Sequence, residues 1–538
     1  MAVIESRVDP RSDAFRAQRE EMLALVAQVR AIEERVEERS RRAAPKFAAR
    51  GQLMPRERLH RLLDPGAPFL ELSTLAGLGM HDDDGGDEAM GGGSIVGVGL
   101  VRGVRCLVAA HNSAIKGGAI TPMGLKKSLR AQEIAIENRL PAVSLVESAG
   151  ANLLYQAELF VDGGRVFFNM ARMSAMGLPQ VTVVHGSSTA GGAYIPGLAD
   201  YVVMVRERAR VFLAGPPLVK AAIGEDADEE ALGGADMHAQ VSGTAEYLAD
   251  DDAHAVALAR DIVHALDWDR DLPAPPGPGA PPRYDPDELC GVVPPDPRRP
   301  YDVREVIARL VDGSEWLEFK PGFGPQTVCG HARIEGVACG VVGNNGPIFP
   351  QGSVKAAQFI QLCCQAGLPL VYLQNTTGYM VGTAAEQAGA VKHGAKMIQA
   401  VANATVPQVT LVIGGSYGAG NYGMCGRSFG PRFVFAWPNS RIAVMGGEQV
   451  ATVMKIITRQ KLARAGGEVD EAALEAMSAG LRQQLDQEST ATFATARLWD
   501  DGVIDPRDSR RVLGFALRTC WEAERRRLRP STFGVARG

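Results

Sequence analysis

Several chemistries are excluded by what this 538-residue sequence lacks. Its eight cysteines, at 106, 290, 329, 339, 363, 364, 425 and 520, contain no Cys-x-x-Cys, so neither a zinc ribbon nor a disulfide framework is indicated. A reducing, cytoplasmic location is the simplest expectation, and the first residues show no apolar signal segment. The nine histidines form no His-x-x-x-His or His-Glu-x-x-His, so no metal is expected on this chain. No Gly-Lys-Ser/Thr phosphate loop is present, and no stretch approaches the roughly 18 apolar residues of a membrane span. A net charge of −5 exerts no general pull on nucleic acid or anionic lipid, so neither partner is expected.

What is present is one stretch written twice. Val181-Thr-Val-Val-His-Gly-Ser-Ser-Thr-Ala-Gly-Gly-Ala-Tyr194 returns as Val409-Thr-Leu-Val-Ile-Gly-Gly-Ser-Tyr-Gly-Ala-Gly-Asn-Tyr422, an offset of 409 − 181 = 228. Each copy is an apolar β run closed by glycine and other small residues, where a strand hands over to a helix and leaves N–H groups unpaired. Two such N–H groups can hold a developing oxyanion, and glycine lets a substrate carbonyl approach. The same offset relates Pro122 to Pro350, Lys127 to Lys355, Leu140-Pro141 to Leu368-Pro369, Gly150 to Gly378 and Pro179 to Pro407. The chain therefore holds two copies of one α/β domain, with an oxyanion cradle in each.

Around this repeat the organisation reads as a helical arm over 1–60, a first domain over 61–270, a Pro-rich linker over 271–300 and a second domain over 301–538. Apolar residues at three- and four-residue steps give a helix from Ala14 to Ala49, and Pro55 opens a short second one. Phe69 to Leu78 reads as a strand, and the glycine-rich tract His81 to Gly93 as a mobile surface loop. Ile95–Val101 and Arg105–Ala110, joined at Arg102-Gly103, form a hairpin. Next come helix Gly124–Asn138, strand Ala142–Val146, a loop from Glu147 to Asn152 and a helix through Asn169–Met176. Leu272 to Pro282, extending to Pro294-Pro-Asp-Pro297, is an extended, semi-rigid linker.

Individual candidates are weaker. Glu147 falls where a general base could reach a ligand, but its counterpart at +228 is the neutral Asn375, so a loop-capping role is preferred. Ser187 and Ser188 lack a nucleophile-elbow pattern. Lys116, Lys126, Lys127 and Arg130 surround a Gly-Gly turn and a helix start, and could meet phosphate groups or form a solvated helix face. Val453-Met-Lys-Ile456 lies in a helical segment and lacks the β-rich module that presents a biotinyl lysine.

With the doubled glycine stretch, further phrases stand out. These are Gly215-Pro-Pro-Leu-Val-Lys220, Leu232-Gly-Gly-Ala-Asp-Met-His238, Gly343-Asn-Asn-Gly-Pro347, Leu373-Gln-Asn-Thr-Thr-Gly378, Lys392-His-Gly-Ala-Lys396, Gly418-Ala-Gly-Asn-Tyr-Gly-Met-Cys-Gly426 and Trp437-Pro-Asn-Ser-Arg-Ile-Ala-Val-Met-Gly446. Together they closely resemble the carboxyltransferase (β) subunits of biotin-dependent acyl-CoA carboxylases, most of all the 3-methylcrotonyl-CoA and geranyl-CoA carboxylase branch.

The resemblance implies two tandem crotonase-like domains, each a β-β-α superhelix. It implies a homo-hexameric β core in an α6β6 complex, with biotin carried on a separate α subunit that also supplies biotin carboxylase and carrier functions, and a coenzyme A thioester as substrate. Carried onto this sequence, it makes Gly191 and Gly192 the donors to the thioester enolate, and Gly418 and Ala419 those to the ureido oxygen of biotin. Ala190, Tyr194, Gly197, Lys116, Lys127, Gly150, Gly378 and Tyr422 are the expected substrate-binding positions. Gly197 and Ala199 leave room for a long acyl chain, which favours geranyl-CoA over 3-methylcrotonyl-CoA. Propionyl-CoA carboxylases and decarboxylase carboxyltransferase subunits are alternatives of the same fold. A single-site hydratase or isomerase would leave the second glycine motif unexplained, and a scaffold would tolerate valine at Gly191 or Gly418 without loss of activity.

Overall fold

The computed structural model describes residues 2–81, 90–464 and 470–536. They form two units assembled from discontinuous segments. One comprises Arg30–Pro275, Ala496–Leu498 and Thr519–Gly538; the other comprises Met1–Val29, Pro276–Thr495 and Trp499–Arg518. The first contains the first copy of the repeat and the second contains the second.

In the first-copy unit a hairpin joins Ser94–Val101 to Val104–His111 through Arg102 and Gly103, both at positive φ (52° and 80°). Two positive-φ residues suit the right-handed twist of a two-residue hairpin, and a glycine at the second eases the strain. Leu70–Leu72 pairs antiparallel on one side of this hairpin. On the other side the sheet turns parallel through Ala142–Ser148, Gln180–Thr189, Tyr201–Val205 and Tyr247–Ala249. Helices Pro122–Glu137 and Gln156–Met176 make the crossovers that parallel pairing requires. The second copy repeats the path. Glu315–Phe319 pairs with the hairpin Thr327–Ile334/Val337–Asn344, turned at Glu335 and Gly336 (φ 47° and 81°). Parallel strands Leu370–Thr376, Gln408–Tyr417 and Phe433–Ala436 complete it, with helices Pro350–Ala366 and Ala390–Ala402 between. Among the described residues each copy adds one strand the other lacks: Tyr247–Ala249 in the first and Ala2–Val3 in the second.

The parallel strands are apolar almost throughout because both faces are covered. Val181, Val183, Val184, Val202, Val203, Met204 and Val205 are all buried in one continuous core. Each such side chain contributes about 1.5–3 kcal/mol on leaving water. The second copy buries Leu370, Tyr372, Phe359, Ile360 and Met397 in the same way.

Several expectations need correction. The arm is two helices, Asp13–Arg41 and Ala44–Ala49, rather than one. Only Leu70–Leu72 of the stretch from Phe69 to Leu78 is strand; Leu75 and Ala76 are buried in a turn. Of the supposed surface loop, residues 82–89 lie outside the described residues, while Met90 to Gly92 are buried, with Gly91 N donating to Ala76 O at 2.8 Å. The helix that precedes the first glycine strand begins at Gln156, well before Asn169. The proline-rich connector is extended only as far as Pro282. Its carbonyls at Pro276, Ala280 and Pro281 accept from Arg518, Arg510 and the Gly313 N–H, and Leu289–Val292 then forms a buried helical turn. Proline carbonyls without matching N–H donors suit such capture by arginine.

Candidate active site

The doubled stretch is a strand that changes partner halfway. In the first copy Val181–Val184 pairs with Tyr201–Met204, then Ser187–Thr189 pairs with Arg210–Phe212. At the change of partner the ladder to the neighbouring strand slips, from Val146 opposite Val184 to Ser148 opposite Ser188. Between those pairs one residue, Glu147, faces three, so His185, Gly186 and Ser187 bulge out of register. The second copy slips at the matching place, from Gln374 opposite Val412 to Thr376 opposite Ser416, and changes partner from Phe433–Ala436 to Arg441–Ala443. A bulge bends a strand and re-aims the backbone beyond it. In both copies that backbone is the glycine turn.

Each turn opens with a residue in the left-handed region, Ala190 at φ 52° and Gly418 at φ 53°. Helical turns then run over Ala190–Ala193 with Tyr194–Leu198, and over Gly418–Gly423. The first N–H groups of a helical turn have no partner within it and can donate to an anionic oxygen. Gly191 and Ala419, equivalent at the 228 offset, are both exposed, while Gly192 and Gly420 behind them are buried. Gly191 has no neighbour closer than 3.9 Å to a notional Cβ, so the space over it is open. At Gly420 a Cβ would lie 2.9 Å from Gly378 Cα, so that close approach requires glycine.

Gly150 (φ 87°) and Gly378 (φ 114°) lie against the turns, with notional Cβ atoms 3.4 Å from Thr189 O and 3.6 Å from Tyr417 O. Ser148 and Thr376 hold those loops: each side-chain oxygen accepts from the glycine N–H at 3.1 Å. Tyr194 and Tyr422 are half-exposed, packed on Phe167 and Phe429 with ring centroids 5.5 and 5.6 Å apart. The structure thus brings Ala190, Gly191, Gly192, Tyr194 and Gly150 together in one unit, and Gly418, Ala419, Tyr422 and Gly378 in the other. Gly197 is exposed, with nothing within 4 Å of a notional Cβ, beside the buried Ala199.

The two lysines part company. Lys116 is exposed on the turn Lys116–Gly118. Lys127 is buried: its ammonium donates to Gly91 O at 3.1 Å and Ser94 O at 2.7 Å, and burial pulls it down to about 8. Its place one turn into helix Pro122–Glu137 faces the sheet rather than solvent, so it is not placed to meet a phosphate group. Arg130 is buried as well, with Glu133 on its guanidinium.

Glu147 sits opposite the first bulge. Its carboxylate accepts from Arg58 Nη1 at 2.7 Å and Ser113 Oγ at 2.9 Å. Behind it, His185 Nδ1 lies 2.8 Å from Asp252 Oδ1, and burial holds that imidazole below its ordinary range. Sequence reasoning missed Arg58, Ser113 and Asp252, since residues at 58, 113, 147, 185 and 252 share no spacing a motif could announce. In the second copy the counterpart of Glu147 is neutral: Asn375 Oδ1 accepts from Gly415 N at 3.2 Å, and beside it Ser416 Oγ donates to Gln374 Oε1 at 2.5 Å. Among the described residues no group of His, Cys, Asp and Glu is arranged to hold a metal ion.

Residues 46–535 match the carboxyl transferase domain family. A probable biotin-dependent acyl-coenzyme A carboxylase β2 subunit of Mycobacterium tuberculosis is 51% identical over 470 residues, 87% of this chain and 88% of that protein. A probable methylcrotonoyl-CoA carboxylase β chain of Drosophila melanogaster is 48% identical over 536 residues, 96% of this chain and 92% of the relative. Among solved structures, the β subunit of P. aeruginosa geranyl-CoA carboxylase is 60% identical, with a TM-score of 0.94 and full coverage of both chains. That match carries the two-domain crotonase-like architecture the sequence resemblance implied. With one strand-bulge-turn device built twice in a chain matched over nearly its whole length, this protein belongs to the carboxyl transferase domain family.

Proposed function

We propose that this chain is the carboxyltransferase β subunit of a biotin-dependent acyl-CoA carboxylase, and that it moves CO2 from carboxybiotin to the γ-carbon of geranyl-CoA. The observation that carries the choice of substrate is the 60% identity to the P. aeruginosa geranyl-CoA carboxylase β subunit over the full length of both chains. The open space at Gly197 supports it.

Under this reading the first turn serves the acyl-CoA. Gly191 and Gly192 N–H donate to the thioester oxygen as negative charge builds there on removal of the γ-proton, which lowers the energy of the dienolate that captures CO2. Lys116 offers a cation at the rim for a coenzyme A phosphate. The second turn serves the ureido oxygen through Gly418 and Ala419 N–H. Gln374, Asn375, Ser416 and Tyr417, on the two strands that lead to it, have uncharged side chains, and Arg441 pairs opposite Gly415. Bound carboxybiotin supplies the CO2 and, once that has left, a proton acceptor. The chain itself then needs to hold two oxygens, not to provide a side-chain base, and Glu147 is already engaged by Arg58 and Ser113.

Biotin arrives on a separate α subunit, and a hexameric β core in an α6β6 complex in the cytoplasm completes the proposal. The test is ATP- and bicarbonate-dependent carboxylation by the holoenzyme reconstituted with its α subunit, using geranyl-CoA and 3-methylcrotonyl-CoA in parallel. A higher kcat/KM for geranyl-CoA is expected. Preference for the five-carbon substrate would move the chain to the 3-methylcrotonyl-CoA branch, for which the Drosophila relative is named.

A further inference from the structure

The bulge that leads into each glycine turn is fastened differently in the two copies. In the second copy the fastenings are neutral: Asn375 Oδ1 takes the Gly415 N–H at 3.2 Å, and Asn439 Nδ2 donates to Ile413 O at 3.2 Å. In the first copy they are ionic. A Cβ on Gly186 would lie 2.8 Å from the Glu147 carboxyl group, so the carboxylate lies directly under the bulged backbone. His185, the first bulged residue, is gripped by Asp252 through its ring at 2.8 Å, and by Gln52 Nε2 on its carbonyl at 3.3 Å.

One guanidinium joins the two grips. Arg58, only 1% exposed, donates Nη1 to Glu147 at 2.7 Å and Nε to Asp252 Oδ2 at 3.1 Å. Asp252 is further fixed by the Leu53 N–H at 2.7 Å, and Glu147 by Ser113 Oγ at 2.9 Å. Glu147 comes from the neighbouring strand, Asp252 from the start of helix Asp252–Ala265, and Arg58 from helix Pro55–Leu62. Three elements therefore converge on a bulge that lies 191 − 186 = 5 residues before Gly191. A bulge is locally unpaired backbone, and ionised hydrogen bonds are shorter and stronger than neutral ones. Donors to a developing oxyanion must be held to within about 0.5 Å.

We propose that Arg58 is a positioning residue that, through Glu147 and Asp252, fixes the His185–Gly186 bulge and so the placement of the Gly191 and Gly192 N–H groups. It touches no substrate atom, and Glu147 is its intermediary rather than a base. The inference rests on the carboxyltransferase reading above.

The experiment uses the reconstituted holoenzyme with Arg58→Lys, Glu147→Gln and Ser113→Ala, reading kcat, KM for the acyl-CoA, the pH profile of kcat and the thermal midpoint. Loss of alignment predicts a fall in kcat of about 10- to 100-fold for Arg58→Lys and Glu147→Gln, with KM within about 2-fold and the shape of the pH profile kept. The double variant should be no worse than the more damaged single one, because both changes break one unit. Ser113→Ala, at the half-buried edge, is the variant for the case in which Arg58→Lys does not fold, and a kcat loss of about 3-fold at unchanged KM is expected. Unchanged kcat in Glu147→Gln and Ser113→Ala, a loss confined to KM, or disappearance of the acid limb of the pH profile would overturn the proposal. A wild-type holoenzyme that carboxylates neither acyl-CoA would end the functional reading as well; an active wild type with unaffected variants ends this inference alone.

Discussion

Ala190 and Gly418 adopt the same left-handed backbone, φ 52° and 53°, although only one of them is glycine. Each is the corner at which a bulged strand becomes a helical turn. Alanine in this region costs about 1–2 kcal/mol, so the first copy carries backbone strain that its packing sustains. The second copy avoids that strain. Gly418→Ala should therefore fold, lose about 1–2 kcal/mol of stability in urea titration, and place its methyl close to Val444 O, 3.1 Å from a notional Cβ. A loss above about 4 kcal/mol would mean that the two corners are not equivalent.

Gly191 offers a cleaner separation of fold from chemistry. Its notional Cβ meets nothing nearer than Phe167 at 3.9 Å. Gly191→Val should keep the thermal midpoint within a few degrees, yet cut carboxylation by about 100-fold or more, because the side chain fills the space the thioester oxygen needs. Retained activity would remove the first turn from the reaction.

Gly197 speaks to substrate length. It is exposed, with nothing within 4 Å of a notional Cβ. Gly197→Phe should lower kcat/KM for geranyl-CoA by about 10-fold or more while leaving 3-methylcrotonyl-CoA within about 3-fold. Equal effects on both substrates would place the acyl chain elsewhere.

Asp500 and Asp501 form a buried pair with unequal support. Asp501 accepts from Arg427 Nη1 and Val434 N, each at 2.8 Å, whereas Asp500 accepts from Gly502 N at 3.0 Å. Burial first, and the neighbouring Asp501 charge next, push Asp500 up to about 7. The folded state therefore holds a proton that the unfolded chain has released above about pH 4. This contribution is fully present below the unfolded value and is lost as pH rises through about 7. The difference in stability between Asp500→Asn and the wild type, measured by chemical denaturation, should move in the variant's favour by about 4 kcal/mol between about pH 4 and about pH 8. An identical pH dependence in the variant would show that Asp500 is ionised in the fold.

The Lys127/Lys355 correspondence shows where reading residues in order stops being sufficient. Their 228 spacing revealed the duplication correctly, but spacing says nothing about which face of a helix meets the sheet. Lys127 turned inward onto Gly91 O and Ser94 O instead of outward to a phosphate group. Met90 to Gly93 misled for a related reason. Glycine-rich composition reads as loop, yet these residues are tucked under helix Pro122–Glu137, where only small residues fit; a Cβ on Gly92 would lie 3.0 Å from Gly124 Cα.

The amino-acid order by itself determined the duplication, the apolar strands and the glycine turns that close them. Those features rest on local rules, namely period, volume and the backbone freedom of glycine, that act between neighbours in the chain. Only the tertiary structure decided that the strand before each turn is bulged, that it changes partner there, and that the first bulge is held by Arg58, Glu147, Asp252 and His185. Those four come from separate stretches, and a buried ion pair forms only when folding brings its two charges together.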